Sequence, residues 1–450
     1  MTQTDTKAQP ELKRTLGPKL LFFFVLGDIL GTGIYALTGQ VSAKVGGALW
    51  LPFLLAFAVA FITAFSYLEL VGKYPQAAGA ALYAHKAFGI QFLTFMITFT
   101  VMSSGITSAS SAARAFGGTY LKEFVTLPTW AVAVLFILLV AYINFRGVGE
   151  AVWANVVLTC IELGGLLLII GIGVVAVLQG KGDFSRLAEI NTADSSALLA
   201  VTSATSLAFF AMVGFEDSVN MAEETKNPAK TFPRAMLLGM GAAAIIYVLV
   251  AIASSTLVPT DVLAQAGSGA LLEVVAVGAP SLPPGVFAFI ALFAVANSAL
   301  INMMMASRLL YGMSRERVIP RILSQVHPSK RTPWTAILFT SAIAVVLVAT
   351  MDVARLGSTT SLLLLGVFCI VNIAVLVLRR NPVEHEHFRA PTWLPVLGIL
   401  TCLYLVTPLS GRPAADYQLA LILLGVGVVL WGINRLVVGK VDFDPAALKD

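Results

Sequence analysis

Five carboxylates stand inside stretches of sequence that are otherwise apolar: Asp28, Glu69, Glu162, Glu216 and Asp217. A charge in hydrocarbon costs roughly 2.5 to 3.5 kcal/mol on insertion scales, so each of these needs a partner, a proton or water. In NVVLTCIELGGL, Asn155, Thr159 and Glu162 are spaced by four and three, which aligns them on one helix face that must look into protein or water. Glu162 on that face is placed to accept and release protons. The alternative is a permanently protonated side chain making a hydrogen bond between helices. Glu69 precedes Lys73 by four residues, the spacing of a structural ion pair at a membrane interface.

The remaining three acids sit beside glycines in places where a plain spanning helix would avoid them. Gly27, Gly31 and Gly33 interrupt GDILGTGIY around Asp28, and Gly214 in FFAMVGFED is followed at once by Glu216 and Asp217. An interrupted helix leaves backbone groups free. N–H groups around Thr32 and Gly33, at the positive end of a half-helix, can hold a carboxylate without any basic side chain. Carbonyls freed near Phe210 and Ala211, together with the acids, would attract an amine. No Lys or Arg lies in the middle of any apolar run, so an anion has only backbone to bind, and an α-amino acid zwitterion fits that polarity. Neutral groups add to the set. Thr100, Ser104, Thr107 and Ser111 form a stripe that would either line a solute path or let helices pack closely. Asn297, Ser298 and Asn302 carry the same ambiguity, with Asn297 and Ser298 the stronger candidates.

The elements that must position these residues are membrane spans. Of 450 residues 58% are hydrophobic and only 12% charged, and the mean hydropathy is +0.88, far from a soluble domain. That composition excludes a water-soluble enzyme, a disulfide-stapled secreted module and a nucleic-acid binder. Apolar runs bounded by charges, Pro and Gly predict helices near 20–42, 49–71, 88–113, 129–145, 151–178 and 197–221. A second six lie near 235–258, 284–306, 334–350, 357–378, 392–409 and 416–438. Lys and Arg fix the orientation, because cytoplasmic connections retain positive charge. With the N-terminus inside, 22 of the 29 fall in inner segments and 7 in outer ones, so both termini are expected in the cytoplasm. The N-terminus is polar for too long to resemble a signal sequence. Cys160, Cys369 and Cys402 lie in separate runs as small hydrophobes. The HEHF stretch with His385 and His387 reads as a solvated loop, so neither metal nor cofactor is expected. The basic segment ASRLLYGMSRERVIPR reads as an inner-face retention signal and as a gate contact for acids such as Glu223 and Glu224.

Glycine-broken segments five spans apart, each opening a set of five, point to an inverted-repeat transporter with its site at the two breaks. The expected organisation is a tail at 1–19, five-helix repeats at 20–178 and 197–378, two further helices within 392–438, and a tail at 439–450.

GDILGTGIYALTG, YLELVGKYPQAAGAALYAHKAFG, FFAMVGFEDSVNMAEETKNPAKTFPRA and NSALINMMMASRLLYGMSRERVIPRILSQVHPSKRTP together resemble the amino acid-polyamine-organocation superfamily over nearly the whole chain. The resemblance implies an all-α membrane fold of twelve helices, five plus five in inverted repeat, with helices 1 and 6 discontinuous. It implies an amino acid permease of the cell membrane, alternating access, and an amino acid held among Ile29, Gly31, Thr32, Gly33, Phe210, Ala211, Gly214 and Phe215. Phe210 falls at a gating aromatic. Glu162, Asp28, Glu216, Asp217, Asn297 and Ser298 are the candidates for coupling a proton, or alternatively sodium. Glu162 departs from proton-coupled members that place a lysine in helix 5. An exchanger or a polyamine carrier is the nearest alternative reading; a membrane enzyme or a channel fits less well, since no reactive His-acid or Cys-His group lies within the spans.

Overall fold

The computed structural model describes residues 16–76, 79–146, 151–193, 195–222 and 224–439, the side chains of 151–155 excepted. Every apolar run expected to span forms helix. In chain order the helices are α1 (Pro18–Ile29), α2 (Thr32–Val45), α3 (Trp50–Lys73), α4 (Gly79–Phe88), α5 (Gln91–Ala115), α6 (Thr129–Arg146), α7 (Ala151–Leu178) and α8 (Ala197–Ala208). They continue as α9 (Pro228–Leu257), α10 (Thr260–Ala266), α11 (Ala270–Gly278), α12 (Pro284–Arg315), α13 (Trp334–Thr350), α14 (Val353–Leu378), α15 (Trp393–Val406) and α16 (Ala414–Val438). Among the described residues, eleven segments are long and apolar enough to cross a bilayer, and α13 and α15 are shorter apolar helices. One of the eleven, Thr260–Gly278, falls where the sequence predicts a connection. It is two short helices joined through Gly267–Gly269, whose small residues break the apolar run and hide it. The terminal tails fall almost wholly outside the described residues, as do the Asn155 side chain and Glu223.

The molecule is apolar on its outside as well as its inside. Leu135, Leu138 and Leu139 of α6, Val174 and Val175 of α7 and Leu421, Ile422 and Leu436 of α16 are all exposed. So much aliphatic surface is stable only against lipid. Polar side chains are instead buried between the helices, Thr32, Thr107, Glu162, Ser206, Asn297 and Thr359 among them.

One expected pair is corrected. Glu69 does not bond Lys73; Arg379 at the end of α14 grips both Glu69 oxygens, at 2.8 Å from Nε and 2.6 Å from Nη2, and the backbone N–H of Ala390 donates to the same carboxylate at 2.9 Å. A guanidinium fork satisfies a nearly buried carboxylate more fully than one ammonium can. Lys73 donates to the carbonyl of Leu378.

Candidate functional site

The first spanning segment is interrupted at Leu30 and Gly31. Helix α1 closes at Ile29, Gly31 turns with φ −65° and ψ −144°, and α2 restarts at Thr32 with no side chain of its own capping the new N-terminus. The exposed backbone is met from other helices. The Thr32 N–H donates to Ser298 Oγ of α12 at 3.1 Å, and Tyr247 of α9 donates its hydroxyl to the carbonyl of Ile29. Tyr35 Oη donates to the Glu162 carbonyl and Tyr120 Oη to the Tyr35 carbonyl, both at 2.6 Å, which fixes α2 against α7 and the end of the α5 segment.

The sixth segment breaks more widely. Helix α8 runs into a 3₁₀ turn, Phe209–Met212, then Val213 is extended, and a second 3₁₀ turn begins at Asp217. Gly214 between them holds φ +124°, a backbone conformation that residues with a Cβ rarely adopt. Its N–H donates to Glu216 Oε2 at 2.9 Å. The two breaks touch. A Cβ on Gly33 would lie 2.3 Å from Ala211 Cα, and one on Gly214 would lie 2.7 Å from the Asp28 carbonyl oxygen.

Between the breaks is a small cavity of about 20 Å³, walled by Asp28, Ile29, Gly31, Thr32, Gly33, Phe210, Gly214, Asp217 and Ser298, with Ser108, Val213 and Asn302 completing it. The expected residues Ile29, Gly31, Thr32, Gly33, Phe210 and Gly214 are thus brought together. Ala211 stands at the helix contact with Gly33. Phe215 turns away, its ring packed on Tyr67 and Phe368 with centroids 5.7 and 5.3 Å away. Asp28 Oδ2 and Thr32 Oγ1 are buried with no hydrogen-bond partner among the described residues. Val213, Asp217 and Asn302 also wall a second space, which continues along α5 and α12 past Ser104, Met305 and Leu309 and carries Glu216.

The acids therefore divide. Asp28 and Asp217 face the first cavity, Glu216 and Asp217 the second, and Glu162 lies behind helix 1, fully buried, with Oε1 accepting from Asn297 Nδ2 at 3.2 Å. Glu162 Oε2 has no partner among the described residues. Among the described residues no group of three metal-ligating side chains occurs.

Sequence reasoning passed over Ser108 and the three tyrosines. The stripe in α5 divides as well: Thr107 bonds Thr360 Oγ1 at 2.7 Å and Ser111 donates to the Val353 carbonyl at 3.1 Å, so both serve packing on α14. Ser104 of the stripe faces the second cavity, and Ser108, which is outside the stripe and one helical turn further on, faces the first. Arg412, in the turn before α16, and Asp416, in its first turn, are buried, a burial that no motif in the sequence signals.

Comparison with known proteins gives a consistent result. A family model described as amino acid permease matches residues 16–431. The chain is 25% identical to the branched-chain amino acid permease BcaP of Bacillus subtilis, covering 95% of this chain and 94% of that one. It is 26% identical to the methylthioribose transporter of the same organism, over 89% of each chain. It is 24% identical to the chloroplastic cationic amino acid transporter 7 of Arabidopsis thaliana, over 90% of this chain and 71% of the relative.

Proposed function

The chain belongs to the amino acid permease family of the amino acid-polyamine-organocation superfamily, and from that premise we propose that it imports an amino acid across the plasma membrane by proton-coupled symport. The observation that carries this reading is the contact of two interrupted helices around one cavity, Gly33 against Ala211 and Gly214 against Asp28. The substrate carboxylate lies over the start of α2, where the N–H groups of Gly31 through Gly33 and the unpaired Thr32 hydroxyl converge at the positive end of a helix. The amine points to the carbonyls of Phe210 and Ala211 and to Asp28 or Asp217. Phe210 closes the cavity on one side.

Glu162 is the coupling acid in this scheme. Its unpartnered oxygen and its bond to Asn297 join α7 to α12 behind the helix 1 break, so a proton there acts on the segment that holds the substrate. Ten spans in two five-helix repeats, 20–178 and 197–378, two further helices within 392–438 and both termini cytoplasmic complete the proposal. One charge moving inward down about 100 mV supplies roughly 2.3 kcal/mol, near fiftyfold accumulation.

The test is uptake of radiolabelled leucine, arginine and glutamate into proteoliposomes with and without an inward proton gradient. Gradient-driven accumulation of one of them, lost in Glu162→Gln while counterflow exchange persists, is the expected result. Unchanged pH-dependent accumulation in that variant defeats the coupling assignment.

A second reading is favoured by one observation: the two cavities are walled by Asp28, Glu216 and Asp217 and, among the described residues, by no Lys, Arg or His. A cationic amino acid or amine, moved by exchange, would neutralise more of that charge. Flux into liposomes that contain no amino acid separates importer from exchanger, and competition by agmatine against leucine separates the substrates.

A further inference from the structure

Arg412 stands in the short turn between α15 and α16, yet it is only 5% exposed, and its guanidinium reaches inward to four residues. Nη1 donates to the Ser358 carbonyl at 2.6 Å and to Ser358 Oγ at 2.9 Å, Nη2 to the Ser206 carbonyl at 3.4 Å and to Ser361 Oγ at 3.2 Å, and Nε to the Leu405 carbonyl at 3.3 Å. Ser361 Oγ donates to the same Ser206 carbonyl at 2.5 Å. Asp416 balances the charge at 3.8 Å and accepts from Ser358 Oγ at 2.5 Å.

Ser206 is the residue that gives this network meaning. It lies in the last turn of α8, where carbonyls lack partners within the helix, three residues before the 3₁₀ turn that carries Phe210. A cation at a helix C-terminus is also favoured by the helix dipole. Arg412 and Ser361 therefore supply from outside the cap that the interrupted helix cannot make for itself. The same two elements, α8 and α14, close over the cavity one layer deeper: a Cβ on Gly357 of α14 would lie 3.4 Å from the Phe210 ring and 2.9 Å from Leu37 of α2. The turn bearing Arg412 is itself seated on α8, with Thr202 Oγ1 donating to the Ser410 carbonyl at 3.3 Å.

We propose that Arg412 is a positioning residue for transport: by capping the first half of the sixth segment and tying it to α14, it holds the Phe210 layer closed on that side of the cavity. Exchange of solute through that side requires α8 and α14 to part, and the Arg412 bonds to Ser206 and Ser361 break when they do. The inference rests on the proposed transport role of the cavity but not on the identity of its substrate or on coupling.

The test reads cavity access directly. Ser108→Cys is placed in a chain with Cys160, Cys369 and Cys402 replaced by alanine, and the probe is a membrane-impermeant maleimide added to whole cells or to inside-out vesicles. Arg412→Met raises the modification rate from one side only, by about tenfold, the outer side on the orientation proposed above; Arg412→Lys, which keeps a donor and the charge, restores much of the protection. Ser361→Ala, expected to raise it about threefold, serves if Arg412→Met does not yield monodisperse protein. Equal rates in the parent and in a well-folded variant, or equal acceleration from both sides, overturn the proposal. Failure of leucine, arginine and glutamate uptake by the unmodified protein would count against the transport reading while leaving this result intact.

Discussion

At the break in the first segment, neutral hydroxyls meet the exposed backbone: Tyr247 takes the Ile29 carbonyl and Ser298 the Thr32 N–H. At the break in the sixth, ionisable groups do the same work, with Arg412 beside Ser361 on the Ser206 carbonyl and Glu216 on the Gly214 N–H. The backbones differ in parallel. Gly27, Gly31 and Gly33 all keep negative φ and are small because neighbours press on them, whereas Gly214 is held at φ +124°. One break is thus shaped by close packing against rigid helices and the other by a strained turn held by charge. The sixth segment is therefore the wall whose shape depends on ionisable partners, and the first is the wall fixed by packing.

The contrast is broken most severely at Gly214. An alanine there must hold φ +124°, at about 1–3 kcal/mol for a residue with a Cβ, and on that same backbone its Cβ would lie 2.7 Å from the Asp28 carbonyl oxygen. We expect Gly214→Ala to reduce initial uptake rates by about a hundredfold or more, conformation and packing failing together. Gly33→Ala meets Ala211 Cα at 2.3 Å but without the positive φ, and should leave measurable transport. Equal residual rates in the two variants would erase the distinction between a packed break and a strained one.

A smaller effect is expected at the fixed wall. Tyr247→Phe leaves the buried Ile29 carbonyl without its donor, at about 1–3 kcal/mol. Because that carbonyl is part of the scaffold and not of the cavity charge, the variant should lose thermal stability in detergent and roughly tenfold in maximal rate, with KM little changed. A variant with normal stability and raised KM would move Tyr247 into the substrate's contacts.

How much of this was legible follows from what lipid makes expensive. Acids and glycines in apolar runs stand out because hydrocarbon penalises them, so GDILGTGIY and FFAMVGFED could be identified without coordinates, as could the helices that hold them. The pairing of Glu69 was missed because i,i+4 spacing describes one helix, and Arg379 comes from another over three hundred residues later. Arg412 was invisible for the opposite reason. Between Gly411 and Pro413 it reads as a loop cation, and only the inward fold of that turn against Ser203 and Leu199 buries it. Tyr35, Tyr120 and Tyr247 look like core aromatics in sequence; their hydroxyls acquire meaning when the carbonyls they meet are known.

The finest test of the comparison is Ser298→Ala, because it asks whether the hydroxyl at the fixed wall is scaffold or a placeholder for substrate. Ser298 Oγ accepts from the Thr32 N–H at 3.1 Å inside the very cavity where a carboxylate is proposed to bind. If the carboxylate replaces that oxygen, the empty site loses an acceptor in the variant and the occupied site does not. The difference is about 0.5–1 kcal/mol, since water can supply part of the missing bond. Apparent affinity for the transported amino acid should then rise by about two- to fivefold, while an amine lacking the carboxylate, such as agmatine, should show no gain. Titration of both probes against the variant by thermal shift checks the pair. A loss of affinity for the amino acid would mean that Ser298 stays on Thr32 and orients the N–H toward the solute, making the first break a binding wall built by α12 as much as by its own backbone.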